Sequence, residues 1–282
     1  MPTFTHAGHR IAYTEHGSGP RAIVLIHGLL LSQRMHLPLA KDLANRGHRV
    51  ITIDLLGHGA SDRPRDMWRY SMPAFGEQVI ALLDHLELDD AIVGGTSLGA
   101  NVTLEACAIA QDRVRGMLIE MPVLDNALLG CAVAFSPMLL ALTVGQPLMR
   151  IVQMAAKAVP ESRVPFFANI LLDWVRQDPG PSGAVLQGLF FGRIAPPRAQ
   201  RRLLEPPALV IGHHRDPVHP FSDTGMLVEE LPNGRLLEAS SMLELRISPG
   251  RITGEIADFL DECWRPRGAK APGRSATRRK AG

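Results

Sequence analysis

Gly95-Thr96-Ser97-Leu98-Gly99 stands one residue after the apolar run Ala91-Ile92-Val93 and opens a segment of helical period. A chain that passes from strand to helix within a single residue must turn sharply, and its helix must then cross back over the sheet it has just left. Such a turn needs small neighbours, which Gly95 and Gly99 supply, and it forces the residue at its corner into a strained backbone conformation. The hydroxyl of Ser97 is thereby lifted above the sheet at a helix N-terminus, where backbone N–H groups face incoming negative charge. The pentapeptide alone occurs by chance in Gly-rich turns; the strand before it and the helix after it make it a nucleophile signal.

The rest of the chain repeats this alternation. Short runs rich in Ile and Val predict eight strands near 3–4, 10–15, 22–27, 49–54, 90–94, 114–120, 208–212 and 235–239, mostly parallel because helical segments separate them. Helices are expected near 37–46, 73–86, 98–110, 223–230 and 252–263, with Gly47 where a left-handed cap would end the first. No period of 20 to 50 residues recurs, so repeat folds are set aside. The alternation lapses between 121 and 206, a stretch of Leu, Ala, Met, Phe and Pro that reads as an inserted helical lid. The expected organisation is therefore a core of 1–120 and 207–264, a lid of 121–206 and a disordered basic tail of 265–282. Met138, Met149, Met154, Phe166, Phe167, Phe190 and Phe191 are candidates either for the wall of an apolar pocket or for ordinary packing of the lid onto the body. Residues 127–144 are long and apolar enough to approach a membrane span. With Ser136-Pro137 in the middle and no second span nearby, a pair of lid helices is the better expectation.

With 46% hydrophobic residues in a chain of 282, a large core is available and neither disulfides nor a structural metal is needed for stability. Cys107, Cys131 and Cys263 are too few and too scattered for a disulfide framework, which fits a reducing, cytoplasmic location. Residues 1–21 lack the apolar stretch of a targeting segment. The net charge of +2 is uneven, since seven cations follow Trp264 and leave the preceding body at −5. A mildly acidic body argues against a nucleic-acid partner, and the tail reads as a solvated end or a contact for an anionic surface. No histidine spacing suits a metal, the adjacent pair His213-His214 included, and no Gly-rich phosphate loop is present, so no cofactor is expected.

Three further segments resemble parts of the α/β-hydrolase family, and the resemblance runs from Phe4 to Trp264. His27-Gly28-Leu29 is similar to the family's H-G-x turn. Asp54-Leu55-Leu56-Gly57-His58-Gly59-Ala60-Ser61-Asp62 resembles its D-x-x-G-x-G-x-S loop. Pro207–Gly212 with Asp216 and Pro220 resembles the strand and loop that deliver the catalytic acid. The resemblance implies an α/β fold with Ser97 as nucleophile, Asp216 as acid and the N–H groups of Leu29 and Leu98 as the oxyanion hole. His27 and His58 fall in structural turns. Serine at 97 in place of aspartate turns the expectation away from epoxide hydrolases and haloalkane dehalogenases and toward acyl transfer. An ester, thioester or related acyl bond of a mainly apolar small molecule is the expected substrate.

One part of the family pattern is missing. The base is a histidine after the last strand, and Ala239-Ser240-Ser241-Met242-Leu243-Glu244 contains none; His219 is the last histidine in the chain. A serine hydroxyl without a base is a weak nucleophile. One reading moves the base to His219, or less readily to His213 or His214, in the loop that carries Asp216. Asp216 then either orients a neighbour three residues away or passes that role to Asp125 or Glu120. A second reading is an unusual base or none, and a third is a non-catalytic protein that binds an apolar ligand. Fold cannot choose among them.

Overall fold

The computed structural model describes residues 1–265 except 215, 217, 242, 243 and 248, and the side chains of 161, 167 and 247 are likewise outside the description. The expected disordered tail thus lies, Arg265 aside, outside the described residues. Eight strands form one sheet: β1 Thr3–His6, β2 His9–His16, β3 Ala22–Ile26, β4 Arg49–Asp54, β5 Ala91–Thr96, β6 Val114–Glu120, β7 Ala208–Gly212 and β8 Gly234–Glu238. Their spatial order is β1-β2-β4-β3-β5-β6-β7-β8. Only the β1–β2 and β2–β4 pairings are antiparallel. The other five are parallel.

A parallel sheet needs a crossover helix after each strand and cover on both faces, and the side chains alternate accordingly. In β3, Ala22, Val24 and Ile26 join the core on one face while Ile23 and Leu25 join that on the other. Helices α1 Leu37–Asn45 and α11 Gly250–Cys263 cover the second face through residues such as Leu43, Ile256 and Leu260. Helices α2 Met72–His85 and α3 Leu98–Ile109 cover the first, with Phe75, Val79 and Val102 fully buried. Each such side chain stabilises the fold by about 1.5–3 kcal/mol relative to exposure. The first helix ends as expected, with Gly47 at φ +86°.

Between β6 and β7 the chain is helical: α4 Leu128–Thr143, α5 Gln146–Lys157, α6 Phe166–Val175, α7 Pro179–Phe191 and the short α8 Arg198–Arg201. The expected helix pair over 127–144 is corrected here, because α4 runs unbroken through Pro137. Proline removes one backbone donor, whose acceptor would have been the Val133 carbonyl. Pro137 and Val133 both lie on the exposed side of the helix, so no buried group is orphaned. Helix α7 is packed between α4 and the body, and it approaches closely because it carries glycines. A Cβ on Gly183 would lie 2.9 Å from the Leu142 carbonyl, and one on Gly188 only 2.4 Å from that of Met67. Two short helices, α9 Phe221–Glu230 and α10 Glu244–Ile247, complete the carboxyl edge of the sheet.

Candidate active site

Strand β5 ends at Thr96 and α3 begins at Leu98, leaving Ser97 alone in the corner with φ +56° and ψ −110°. That conformation costs an ordinary residue about 1–3 kcal/mol. It is held from both sides: the Ser97 N–H donates to the Glu120 carbonyl at 2.8 Å, and its carbonyl accepts the Asn101 N–H at 3.1 Å. The glycines are required by space. A Cβ on Gly95 would stand 2.6 Å from the Ile26 carbonyl oxygen, and one on Gly99 only 2.1 Å from it.

The loop from β7 to α9 supplies the partners. Asp216 accepts the backbone N–H groups of Val218 and His219, both at 2.9 Å on Oδ1. This turn swings the imidazole of His219 back over its own acid, with Nδ1 2.8 Å from Asp216 Oδ2. The far nitrogen, Nε2, is 2.9 Å from Ser97 Oγ. Sequence adjacency therefore does not prevent Asp216 from orienting His219, and the alternative partners are corrected. The side chain of Asp125 is mostly exposed and lies 3.7 Å from Arg201, while Glu120 is engaged elsewhere. Burial alone would raise the Asp216 carboxyl, but the His219 side-chain hydrogen bond together with the two backbone N–H groups outweighs it and holds it at about 2. An ionised carboxylate only accepts, so Nδ1 carries the proton and Nε2 accepts from the serine hydroxyl. His213 Nε2 is 3.4 Å from Asp216 Oδ2, and the exposed His214 pairs with Glu238 at 3.1 Å; neither bonds to Ser97.

Leu29 and Leu98 line the same cavity as the serine. The Gly28 carbonyl accepts the Leu31 N–H at 3.1 Å, and Leu30 takes φ +54° in the turn thus closed. Leu98 is the first residue of α3, where an N–H has no acceptor within the helix. Among the described hydrogen bonds neither the Leu29 nor the Leu98 N–H is donated elsewhere. His27 and His58 serve the turns: His27 Nδ1–H donates to the Gly28 carbonyl at 2.8 Å, and its Nε2 accepts the Leu55 N–H at 3.1 Å. Asp54 accepts the N–H groups of Gln33 and Ala60 at 2.7 and 2.9 Å, which closes the glycine loop.

Where the family would carry its base, Ser240 is bound through its N–H to Glu244 Oε2 at 2.6 Å, and Glu244 is paired with Arg251 at 2.9 Å. Met242 and Leu243 lie outside the described residues. Beneath Ser97 is a buried group that sequence reasoning missed as a unit: Arg246 pairs with Glu120 and donates to Thr96 Oγ1 at 2.9 Å. Burial raises the Glu120 carboxyl, yet Arg246 and the Thr96 hydroxyl more than offset this and hold it below its usual range. The available signal was a carboxylate at the end of a strand buried on both faces.

A cavity of about 350 Å³ opens beside Ser97, with Leu29, Met72, Leu98, Phe135, Leu186 and Phe190 in its wall. Of the expected Met and Phe candidates whose side chains are described, only Phe190 lines it. Met138 and Met149 pack against the core, Met154, Phe166 and Phe191 are exposed, and the Phe167 side chain is outside the described residues. Helical phase decides this outcome, because consecutive residues such as Phe190 and Phe191 point in different directions. Asn101, one turn after Ser97, donates to the carbonyls of Val123 and Ile194 at 2.7 and 2.6 Å. It thus ties the two ends of the helical insertion to the elbow helix. A larger cavity of about 550 Å³ contains Arg34, Arg63, Asp54 and Asp173 but no member of the serine group. Its polar side chains bond to one another, so the smaller apolar cavity is the candidate site.

Comparison with known proteins agrees with this architecture. The sequence profile of the alpha/beta hydrolase fold matches residues 21–195. Esterase YbfF of Escherichia coli (strain K12) is 35% identical over 103 residues, which are 36% of this chain and 38% of that protein. A haloalkane dehalogenase of Mycolicibacterium paratuberculosis (strain ATCC BAA-968 / K-10) is 30% identical over 120 residues, 42% of this chain and 40% of that one. Both relatives are therefore matched over less than half of their own length. The crystal structure of the enol-lactonase from Burkholderia xenovorans LB400 superposes with a TM-score of 0.76, at 21% identity over 92% of this chain and 100% of that one.

Proposed function

The chain belongs to the alpha/beta hydrolase fold family, and on that premise we propose that it is a serine hydrolase cleaving an ester, thioester or related acyl bond of a mainly apolar small molecule. The observation that carries the proposal is the continuous relay from Ser97 Oγ through His219 to Asp216. In the reaction, Nε2 of His219 takes the hydroxyl proton as Ser97 Oγ bonds to the acyl carbon. The carbonyl electrons move onto oxygen, where the N–H groups of Leu29 and Leu98 stabilise the charge; one such donor is worth about 3 kcal/mol. Collapse breaks the bond to the leaving group, which receives the proton from His219. Water, deprotonated by the same imidazole, then attacks the acyl-enzyme and releases the acid and free Ser97. Asp216 holds the ring in one tautomer and stabilises its charged form.

The apolar wall and the volume of the cavity support a compact acyl group. Residues 121–206 act in this reading as the lid over it, and 1–120 with 207–264 as the body. Serine at the corner favours the chemistry that the name of the esterase relative describes over that of the dehalogenase. A fluorophosphonate probe with mass-spectrometric mapping tests this directly: the expected adduct is on Ser97. Folded protein left unlabelled beside a labelled control hydrolase would support a ligand-binding role instead.

A further inference from the structure

The relay and its cavity leave the outer surface of the helical insertion unexplained. Along α4 and at its C-cap, Leu129, Val133, Leu140 and Val144 recur at helical spacing and are 77%, 69%, 61% and 75% exposed. Helix α5 adds Leu148, Ile151 and Met154, all exposed. Most of the large apolar side chains that the described residues expose lie in this insertion. Large apolar side chains exposed together in this way mark an interaction surface.

Charge identifies what covers it. From 126 to 160 the sequence contains no Asp or Glu, while Arg150 and Lys157 are exposed on α5. Asp125, at the start of the insertion, lies against Arg201, and Arg163 beyond α5 is again an exposed cation. We propose that the outer face of α4 and α5 docks on an anionic lipid surface. Apolar side chains entering the interface and cations facing acidic headgroups are the two contributions that together give stable surface binding. A second copy is the poorer occupant, because two-fold pairing would bring two sets of these cations together with no carboxylate from the same helices between them.

The helix lies on the bilayer and does not cross it. Although the stretch Asp125–Thr143 is long and apolar enough to span, by length and composition, its other side is committed to the body. Leu128, Cys131 and Phe135 line the acyl cavity, and Leu142 is buried. Leu128, on α4 itself, belongs to the cavity wall and is half exposed, so a docked molecule would draw its acyl substrate from the lipid phase. That corollary rests on the hydrolase reading; the docking does not.

Co-sedimentation of the full chain with phosphatidylcholine vesicles, with and without phosphatidylglycerol, tests the proposal without any turnover. Preferential binding to the anionic vesicles is expected. The variant Arg150→Gln with Lys157→Gln should weaken that binding about fivefold per cation removed, and leave the core untouched. Combining Val133→Glu, Leu140→Glu and Leu148→Glu should abolish binding while thermal melting stays unchanged, since all three side chains are exposed. A chain ending at Arg265 should bind as the full chain does. Equal binding to neutral and anionic vesicles would overturn the proposal, as would binding that survives the triple variant or depends on residues 266–282 alone. So would a dimer in ultracentrifugation that the triple variant dissociates, with no vesicle binding, because a second copy would then cover the face.

Discussion

Replacing His219 by alanine removes both side-chain hydrogen bonds of the relay, at 2.9 Å to Ser97 and 2.8 Å to Asp216. Ser97 then has no base, and Asp216, whose side chain is 1% exposed, keeps two backbone donors and the more distant His213 at 3.4 Å. General acid–base assistance contributes about 10²- to 10⁴-fold, so kcat/KM should fall by that factor, or about 3–5 kcal/mol in the barrier. Hydrolysis of a series of p-nitrophenyl esters measures it, and the rate of fluorophosphonate labelling at Ser97 should fall in parallel. Asp216 keeps its two backbone N–H bonds but loses its His219 partner, so some loss of melting temperature is expected, and measuring kcat/KM well below the melting transition separates a chemical loss from unfolding. His213→Ala is the internal comparison and should cost far less, because its ring makes no bond to the serine. A loss under about tenfold for His219→Ala, or an equal loss for His213→Ala, would refute the relay as the source of nucleophilicity.

Two further expectations concern the groups beneath the site. Arg246→Met leaves the Glu120 carboxylate buried without its cation, and breaking a buried pair in this way should destabilise the fold by about 3–5 kcal/mol in urea unfolding; the Glu120→Gln, Arg246→Met double variant should recover part of that loss. His36 is buried, with Nε2 2.9 Å from the Ile26 carbonyl, and burial together with Arg246 lowers it to about 4. Because its folded value lies below its unfolded one, stability is present above about pH 6.5 and is lost as pH falls toward 4, by about 2 kcal/mol between pH 7 and 5. The buried His27 and His58 are lowered as well, primarily by burial, and act in the same direction. A His36→Gln variant should show a flatter stability profile over that range, and an unchanged slope would sink the assignment.

Much of this molecule is written in local patterns. Strands, crossover helices and the serine corner depend on spacings of two to four residues and on glycines that a Cβ would exclude, and those are properties of neighbouring residues in the chain. The absence of a histidine after the last strand is equally local, and so is the presence of three in the loop around Asp216. What Asp216 does with His219 is intermediate: the two lie in one turn, yet nothing in the spacing says that the ring folds back over the carboxylate. The contact of His219 with Ser97 spans 122 residues and that of Arg246 with Glu120 spans 126. Only the order of strands, which brings β5, β6 and β7 side by side, decides that those groups meet. Tertiary packing also decided that Pro137 lies on an exposed helix face where its missing donor is harmless. It placed Phe190 in the cavity and Phe191 outside. Such outcomes depend on which face of an element a neighbour covers, and that is a property of the assembled layers.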